Sequence, residues 1–292
     1  MKGYLNVHQS CFLSYFVCMD QTVQTKLWIL LSGGLIILSS CRSLKINPVG
    51  QSAGLPLTGS AFYRQAASYG WKERDSLALK MFSAGIVPRR FTRLVPIVSR
   101  WTDSSGKMWR ARLFVTQDYF MVGTRHDFAR IPITPMAAQN MSDLTYSSLP
   151  TRKLVDLIHE QSRVKLEPVP LYAHRDSTVI MRHHDLIIEG QRKGRNGLIS
   201  GIKKDVVLSS RDVWKGKTHR VAIYGWHKTD GRPIQPLYAG HVDWYVDYSH
   251  GIRLVSRKVK VNGRTMDYIS LLNHPSLRRL VTDEAGKMLD RY

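Results

Sequence analysis

All three cysteines of the 292-residue chain, Cys11, Cys18 and Cys41, lie in its first 41 residues. The rest of the chain has no thiol, so no disulfide framework can staple it and no zinc knuckle can form in it. Cysteine peptidase and transpeptidase chemistry are excluded there for the same reason. The fold after Cys41 must rest on buried apolar side chains, and any catalyst must be built from His, Asp, Glu, Ser, Lys or Tyr. About 250 residues are enough for one large domain or two small ones. A hydrophobic share of 43% is ordinary for a globular chain.

In the N-terminal segment Lys26 precedes an apolar run from Leu27 to Leu38, interrupted by Gly33 and Gly34. The run is too short and too broken for a transmembrane helix, and residues 1–40 read as a signal peptide. The aromatic-rich stretch before Met19 fits a charged leader poorly, so Met19 competes with Met1 as the start. Leu38-Ser39-Ser40-Cys41 resembles the lipobox of bacterial lipoproteins. That resemblance implies cleavage before Cys41, lipidation of its thiol, and a chain anchored in a bacterial cell envelope, in the periplasm or at the outer membrane. Arg42, where a sorting aspartate would stand, does not favour inner-membrane retention by the same resemblance. Residues 41–60, mixing Pro, Gly and Ser, read as a lipid-anchored linker, and 61–292 as a single α+β domain.

The formal charge of +21 points to an anionic partner: lipopolysaccharide phosphates, anionic lipid, acidic polysaccharide or peptidoglycan carboxylates. Nucleic acid is disfavoured, because the basic residues are scattered and an anchored protein would not meet it.

Residues 61–85 predict one or two helices, followed by strands in "RRFTRLVPIVSRW" and "KMWRARLFVTQDYFMVG". Thr134-Pro135 and Thr151 mark two helix starts, each with a hydroxyl to cap the first turn. "STVIMRHHDLIIEGQRKG" predicts a helix ending at Gly194, and short apolar strands follow, with a hairpin turn at "TDGR". Helices mainly in the N-terminal half and strands after them, without strict alternation, predict an α+β fold with a mixed or antiparallel sheet.

Candidate chemistry concentrates between Lys203 and His250. Read as one strand, Gly240–Val255 puts His241, Asp243, Tyr245, Asp247 and Ser249 on one face and Val242, Trp244, Val246 and Tyr248 on the other. Gly251 reads either as structural or as a bulge re-aiming His250 toward Asp247 and Ser249. His250 is then the candidate general base with Asp247 or Asp243 orienting it. Ser249 is a weaker nucleophile candidate, since neighbouring side chains on a strand point apart. Lys204 and Asp205 form a second candidate, competing with a charged strand entry. Trp226, Trp244 and Tyr245 are the aromatics placed to stack on sugar faces. Asp243 and Asp247 on one extended strand stand about 13 Å apart, beyond the spacing of about 5 to 9.5 Å that glycoside hydrolysis uses. Metal ligation could draw on His183-His184-Asp185, His174 and Asp176, or His241 with Asp243 and Asp247. None has a ligand-fixing spacing, and "RHHD" reads as a solvated helix face. Cofactor and metal dependence stay open at the level of sequence.

The segments "DFARIPITPMAAQ", "LPTRKLVDLI", "KKDVVLS" and "DYSHGIRLV" resemble a family of uncharacterised bacterial secreted proteins. That resemblance implies one cooperative domain and no transferable activity. Together the features lead to an expectation of a lipid-anchored envelope hydrolase working on a glycan or peptidoglycan by His/Asp chemistry. The alternative is a noncatalytic lipoprotein binding an envelope polyanion or partner protein.

Overall fold

The computed structural model describes residues 42–48 and 52–292, so the signal-peptide and Cys41 expectations lie outside the described residues. From Thr58, whose hydroxyl caps the first turn, the chain enters α1 (Gly59–Gln65), then α2 (Trp71–Ser83) and the single turn α3 (Arg89–Thr92). Arg42–Leu44, within the expected tether, run beside the chain after α3: the amide of Leu44 donates to Thr92 O at 2.7 Å and that of Leu94 to Arg42 O at 2.8 Å.

A long antiparallel hairpin follows, β1 (Leu94–Thr102) and β2 (Met108–Thr116), then the small pair β3 (Met121–Gly123) and β4 (Phe128–Arg130). Asp103 closes the hairpin turn, its Oδ1 accepting from the amides of Ser105 and Lys107, both at 3.0 Å. The two predicted helix starts behave as capping requires. Thr134 Oγ accepts from Ala137 N at 3.2 Å at the start of α4 (Pro135–Leu144), and Thr151 Oγ from Leu154 N at 3.4 Å at the start of α5 (Arg152–Gln161). Helix α6 (Thr178–Arg192) ends in left-handed Lys193 before Gly194.

Short strands complete the chain. These are β5 (Ser147–Ser148), β6 (Val164–Lys165), β7 (Ile199–Ser200) and β8 (Lys204–Val206), then the hairpin β9 (Arg220–His227) and β10 (Pro233–Val242), then β11 (His250–Gly251) and β12 (Val255–Ser256). The hairpin β13 (Lys258–Val261) and β14 (Arg264–Asp267) leads into α7 (Tyr268–Leu272). One sheet runs β14-β13-β2-β12-β5, with β1 on β2; a second runs β10-β9-β8-β11. The fold is α+β, its larger sheet antiparallel and its second sheet mixed through the parallel β8–β11 pair. The apolar core binds these layers, with Phe82, Phe91 and Phe120 meeting edge to face at 5.3 to 6.4 Å.

The single strand expected over Gly240–Val255 does not form. β10 stops at Val242, the chain turns through residues 243–249, and strand returns only as the short β11 at His250-Gly251 and the start of β12 at Val255. The alternation therefore fails as a guide to which side chains share a face. The solvated reading of "RHHD" is also corrected: Arg182 and His183 face out, but His184 and Asp185 are buried beneath α6.

Candidate functional site

The parallel pairing of β11 with β8 sets His250 opposite Lys204 and Gly251 opposite Asp205. Gly251 is required by close packing and not by a bulge: a Cβ there would stand 2.5 Å from Tyr119 Cδ1 and 2.7 Å from Lys203 Cβ. The register irregularities fall upstream, between Gln235 and Tyr238 and again between Tyr238 and His241, where they re-aim His241 at the end of β10.

Asp247 organises the turn before His250. Its Oδ1 accepts from the Ser249 amide at 2.8 Å and the Ser249 hydroxyl at 2.5 Å, an Asx-turn that occupies the serine. Its Oδ2 accepts from Tyr245 OH at 3.2 Å and lies 2.8 Å from Arg175 Nη2. Burial alone would raise its pKa, but His250, the two Ser249 donors and Arg175 outweigh it and hold the carboxyl at about 2. Asp247 is thus a fixed anion and Ser249 its donor, which removes Ser249 as a nucleophile.

His250 is 1% exposed, and neither ring nitrogen has a hydrogen-bond partner among the described residues. Burial lowers its pKa to about 4; Asp247 opposes the shift, while Lys204, His241 and Arg175 add to it. The ring is neutral at pH 7 with a free lone pair. Over it, His241 stacks on Tyr245 with centroids 4.7 Å apart, and the two rings lie 6.1 and 5.8 Å from His250. Burial and Lys204 lower the His241 pKa as well. Since His241 and Tyr245 are only partly buried, their stack is the cover between His250 and solvent.

The remaining wall comes from β8 and β9. Lys204 sets its ammonium 5.2 Å from the centre of the Trp226 ring, and burial lowers its pKa. Trp226 is itself buried at φ +54°, a strained backbone for so bulky a residue, and its indole nitrogen has no partner among the described residues. It is a wall of the site and not a surface platform for a sugar. Lys203, wholly buried and lowered by desolvation to about 8, donates its Nζ proton to Tyr248 O and pins the turn from beneath. Trp244 is half exposed and, with Tyr245, Tyr69 and Trp71, lines a cleft of about 420 Å³.

Other expected residues go elsewhere. Asp205 follows Lys204 on β8 and so points to the opposite face. There Tyr119 OH donates to it at 2.7 Å and Arg253 Nε stands 3.7 Å away, while burial raises its pKa to about 6. Asp243 pairs with His219 at 3.3 Å at the edge of a separate cleft of about 400 Å³ beside Trp214 and Tyr292. Among the described residues no three His, Cys, Asp or Glu side chains converge as metal ligands. Arg175 is not among the residues expected from sequence, because no local pattern marks it as the partner of a carboxylate far along the chain.

Models of protein families, curated proteins and solved structures were all compared with this chain, and none matches it.

Proposed function

We propose that this chain is a lipid-anchored cell-envelope hydrolase acting on a glycan or peptidoglycan polymer, with His250 as the proton carrier. One observation carries the reading: a buried neutral imidazole with both nitrogens unpartnered sits in a cluster with a carboxylate held ionised by four donors. Buried polar groups are ordinarily satisfied, and perturbed histidines beside fixed charges concentrate where proton transfer is needed. In hydrolysis His250 takes a proton from the attacking water, Asp247 stabilises the imidazolium that results, and the same ring returns the proton to the leaving atom. Lys204, in register with His250, supplies positive charge to the developing anion.

The polymer reading is supported by the aromatic cleft that shares Tyr245 with the cluster, because sugar faces stack on exposed rings such as Trp244. Substrate reaches His250 when the His241–Tyr245 stack parts. A noncatalytic binder is the second reading, favoured by the cleft at Trp214 and Tyr292, which Arg211, Lys217, Arg220 and Arg291 surround.

The test is incubation of the full-length protein with purified peptidoglycan and acidic polysaccharides, with soluble products followed by mass spectrometry. His250→Asn should lower the rate by about 10²- to 10⁴-fold, and the acid limb of the wild-type rate should fall as the ring protonates toward pH 4. Salt-sensitive binding without products, equal in both proteins, would favour the binder.

A further inference from the structure

A second site, sharing no residue with the His250 cluster, lies at the end of α3. Arg89, Arg90, Arg93 and Arg125 line one cleft of about 310 Å³ with Gln117 and Asn196, and no carboxylate is among its lining residues. Arg90 is the only one of the four with an ion pair among the described residues, 3.4 Å from Glu189 and 4.0 Å from Asp118. Arg89, Arg93 and Arg125 are exposed and have no carboxylate within ion-pair distance among those residues. An adjoining cleft shares Arg90 and Arg125 and adds Arg182, but Asp127, Asp185 and Glu189 also line it, so the unanswered positive charge is confined to the first opening. Like charges are not gathered around a concavity for stability, since their mutual repulsion costs free energy that an anion would relieve. Guanidinium groups present paired N–H donors that match the oxygens of phosphate, and several aimed at one space favour it over a lone carboxylate.

The position of the cleft selects among phosphates. Ser43 bridges Arg93 in an antiparallel contact, flanked by the two backbone hydrogen bonds that join Arg42 and Leu44 to Thr92 and Leu94. Arg42–Leu44 thus lie beside the cleft, and in sequence the apolar run Leu27–Leu38 ends only a few residues earlier. A membrane attachment made at or near Cys41 would therefore be tied in sequence within a few residues of Ser43, which pairs with Arg93. We propose that the Arg89, Arg90, Arg93 and Arg125 cleft binds the phosphate of an anionic lipid headgroup and seats this face on the bilayer. The proposal rests on the membrane attachment in the proposed function and not on its hydrolase part: a failed lipid test leaves His250 chemistry untouched, and an inert His250 leaves this cleft untouched.

The test uses the full-length protein in a nonionic detergent, with calorimetric titration of dihexanoyl phosphatidylglycerol, dihexanoyl phosphatidylcholine and inorganic phosphate. Arg89→Gln, Arg93→Gln and Arg125→Gln are combined in one variant, leaving Arg90 and its ion pairs intact. A control variant combines Lys258→Gln, Lys260→Gln and Arg264→Gln, the same change of charge at exposed positions of the β13–β14 hairpin, outside both basic clefts. Phosphatidylglycerol should bind, phosphatidylcholine should not, and the arginine variant should lose about 100-fold in affinity while the control loses less than about threefold. Equal losses in the two variants, or retention in the arginine variant, would overturn the site. Binding of inorganic phosphate as tight as that of phosphatidylglycerol would overturn the lipid assignment. Circular dichroism of both variants checks that they fold.

Discussion

Two buried charged regions of this protein use the same residue types to opposite effect. Around Arg130 every charge is answered. Its Nε and Nη2 donate to the two oxygens of Asp118 at 3.0 and 2.9 Å, Nη2 also donates to Glu189 at 2.6 Å, and Nη1 lies 3.5 Å from Asp185. Asp185 in turn accepts from the Arg130 amide at 2.9 Å and from Tyr63 OH at 2.6 Å. In the turn before His250 the carboxylate is equally well served, but the imidazole beside it is left with both nitrogens open. A closed network fixes geometry and has nothing left to offer a ligand. An open one has proton-accepting capacity already desolvated and held in place, as the proton carrier proposed at His250 requires.

The comparison breaks most visibly at Arg130. Arg130→Met leaves Asp118 and Asp185 as buried carboxylates without their common cation, and should cost about 3–5 kcal/mol of stability, read as a lower midpoint in urea denaturation. A loss below about 1 kcal/mol would mean that solvent reaches the network and that it is not closed.

The pH dependence sharpens the other side. The folded-state pKa of His250, about 4, is below the ordinary value near 6.5, so the unfolded chain binds more protons between those limits. Its contribution is intact above about pH 6.5 and is lost as pH falls toward 4, by on the order of 3 kcal/mol in all. His159, also lowered to about 4 by burial, acts in the same direction. Asp75 and Asp205, raised by burial to about 6, act in the opposite one, because their protonation on acidification favours the folded state. His184, lowered still further by burial, adds to the histidine side, but all these other groups are common to both proteins, so the difference between wild type and His250→Asn should shrink steadily from pH 7 to pH 4. A difference independent of pH would show that the ring is not buried in its neutral form.

Local chemistry was legible in the sequence wherever a structure depends on neighbours along the chain. Thr134 before Pro135 and Thr151 before "RKLVDLI" both cap helices, since a hydroxyl needs only the amides of the next turn. "TDGR" turns β9 into β10 for a similar reason, with Asp230 accepting from the Arg232 amide at 2.9 Å. His241, Asp247 and His250 were legible as residue types, and they do come together, but by a different geometry from the one expected. The apolar-polar alternation from Gly240 suggested one strand, whereas the Asx-turn at Asp247 and Ser249 is a stronger local preference than continuing the ladder. Asp243 consequently leaves the cluster for His219. The placement of Lys204 on the His250 face, and of Asp205 away from it, follows from the register of β8 against β11, which no stretch of sequence states. Arg175 was illegible as a partner for the same reason.

The finest test of the contrast compares two phenols. Tyr63 donates to Asp185 at 2.6 Å in the closed network, where both groups are buried, and Tyr245 donates to Asp247 at 3.2 Å at the covered edge of the open one. Removing a hydroxyl from a short, fully buried bond to a carboxylate should cost about 1–3 kcal/mol, whereas a long bond to a carboxylate with three other donors should cost about 0.5 kcal/mol. Tyr63→Phe should therefore destabilise the protein several times more than Tyr245→Phe in the same denaturation experiment. Tyr245→Ala goes further, because it removes half of the stack that covers His250, and diethyl pyrocarbonate should then modify His250 faster than in wild type. If His250 reacts at an unchanged rate, the His241–Tyr245 pair is not its cover, and substrate must approach the imidazole from the Lys204 and Trp226 side.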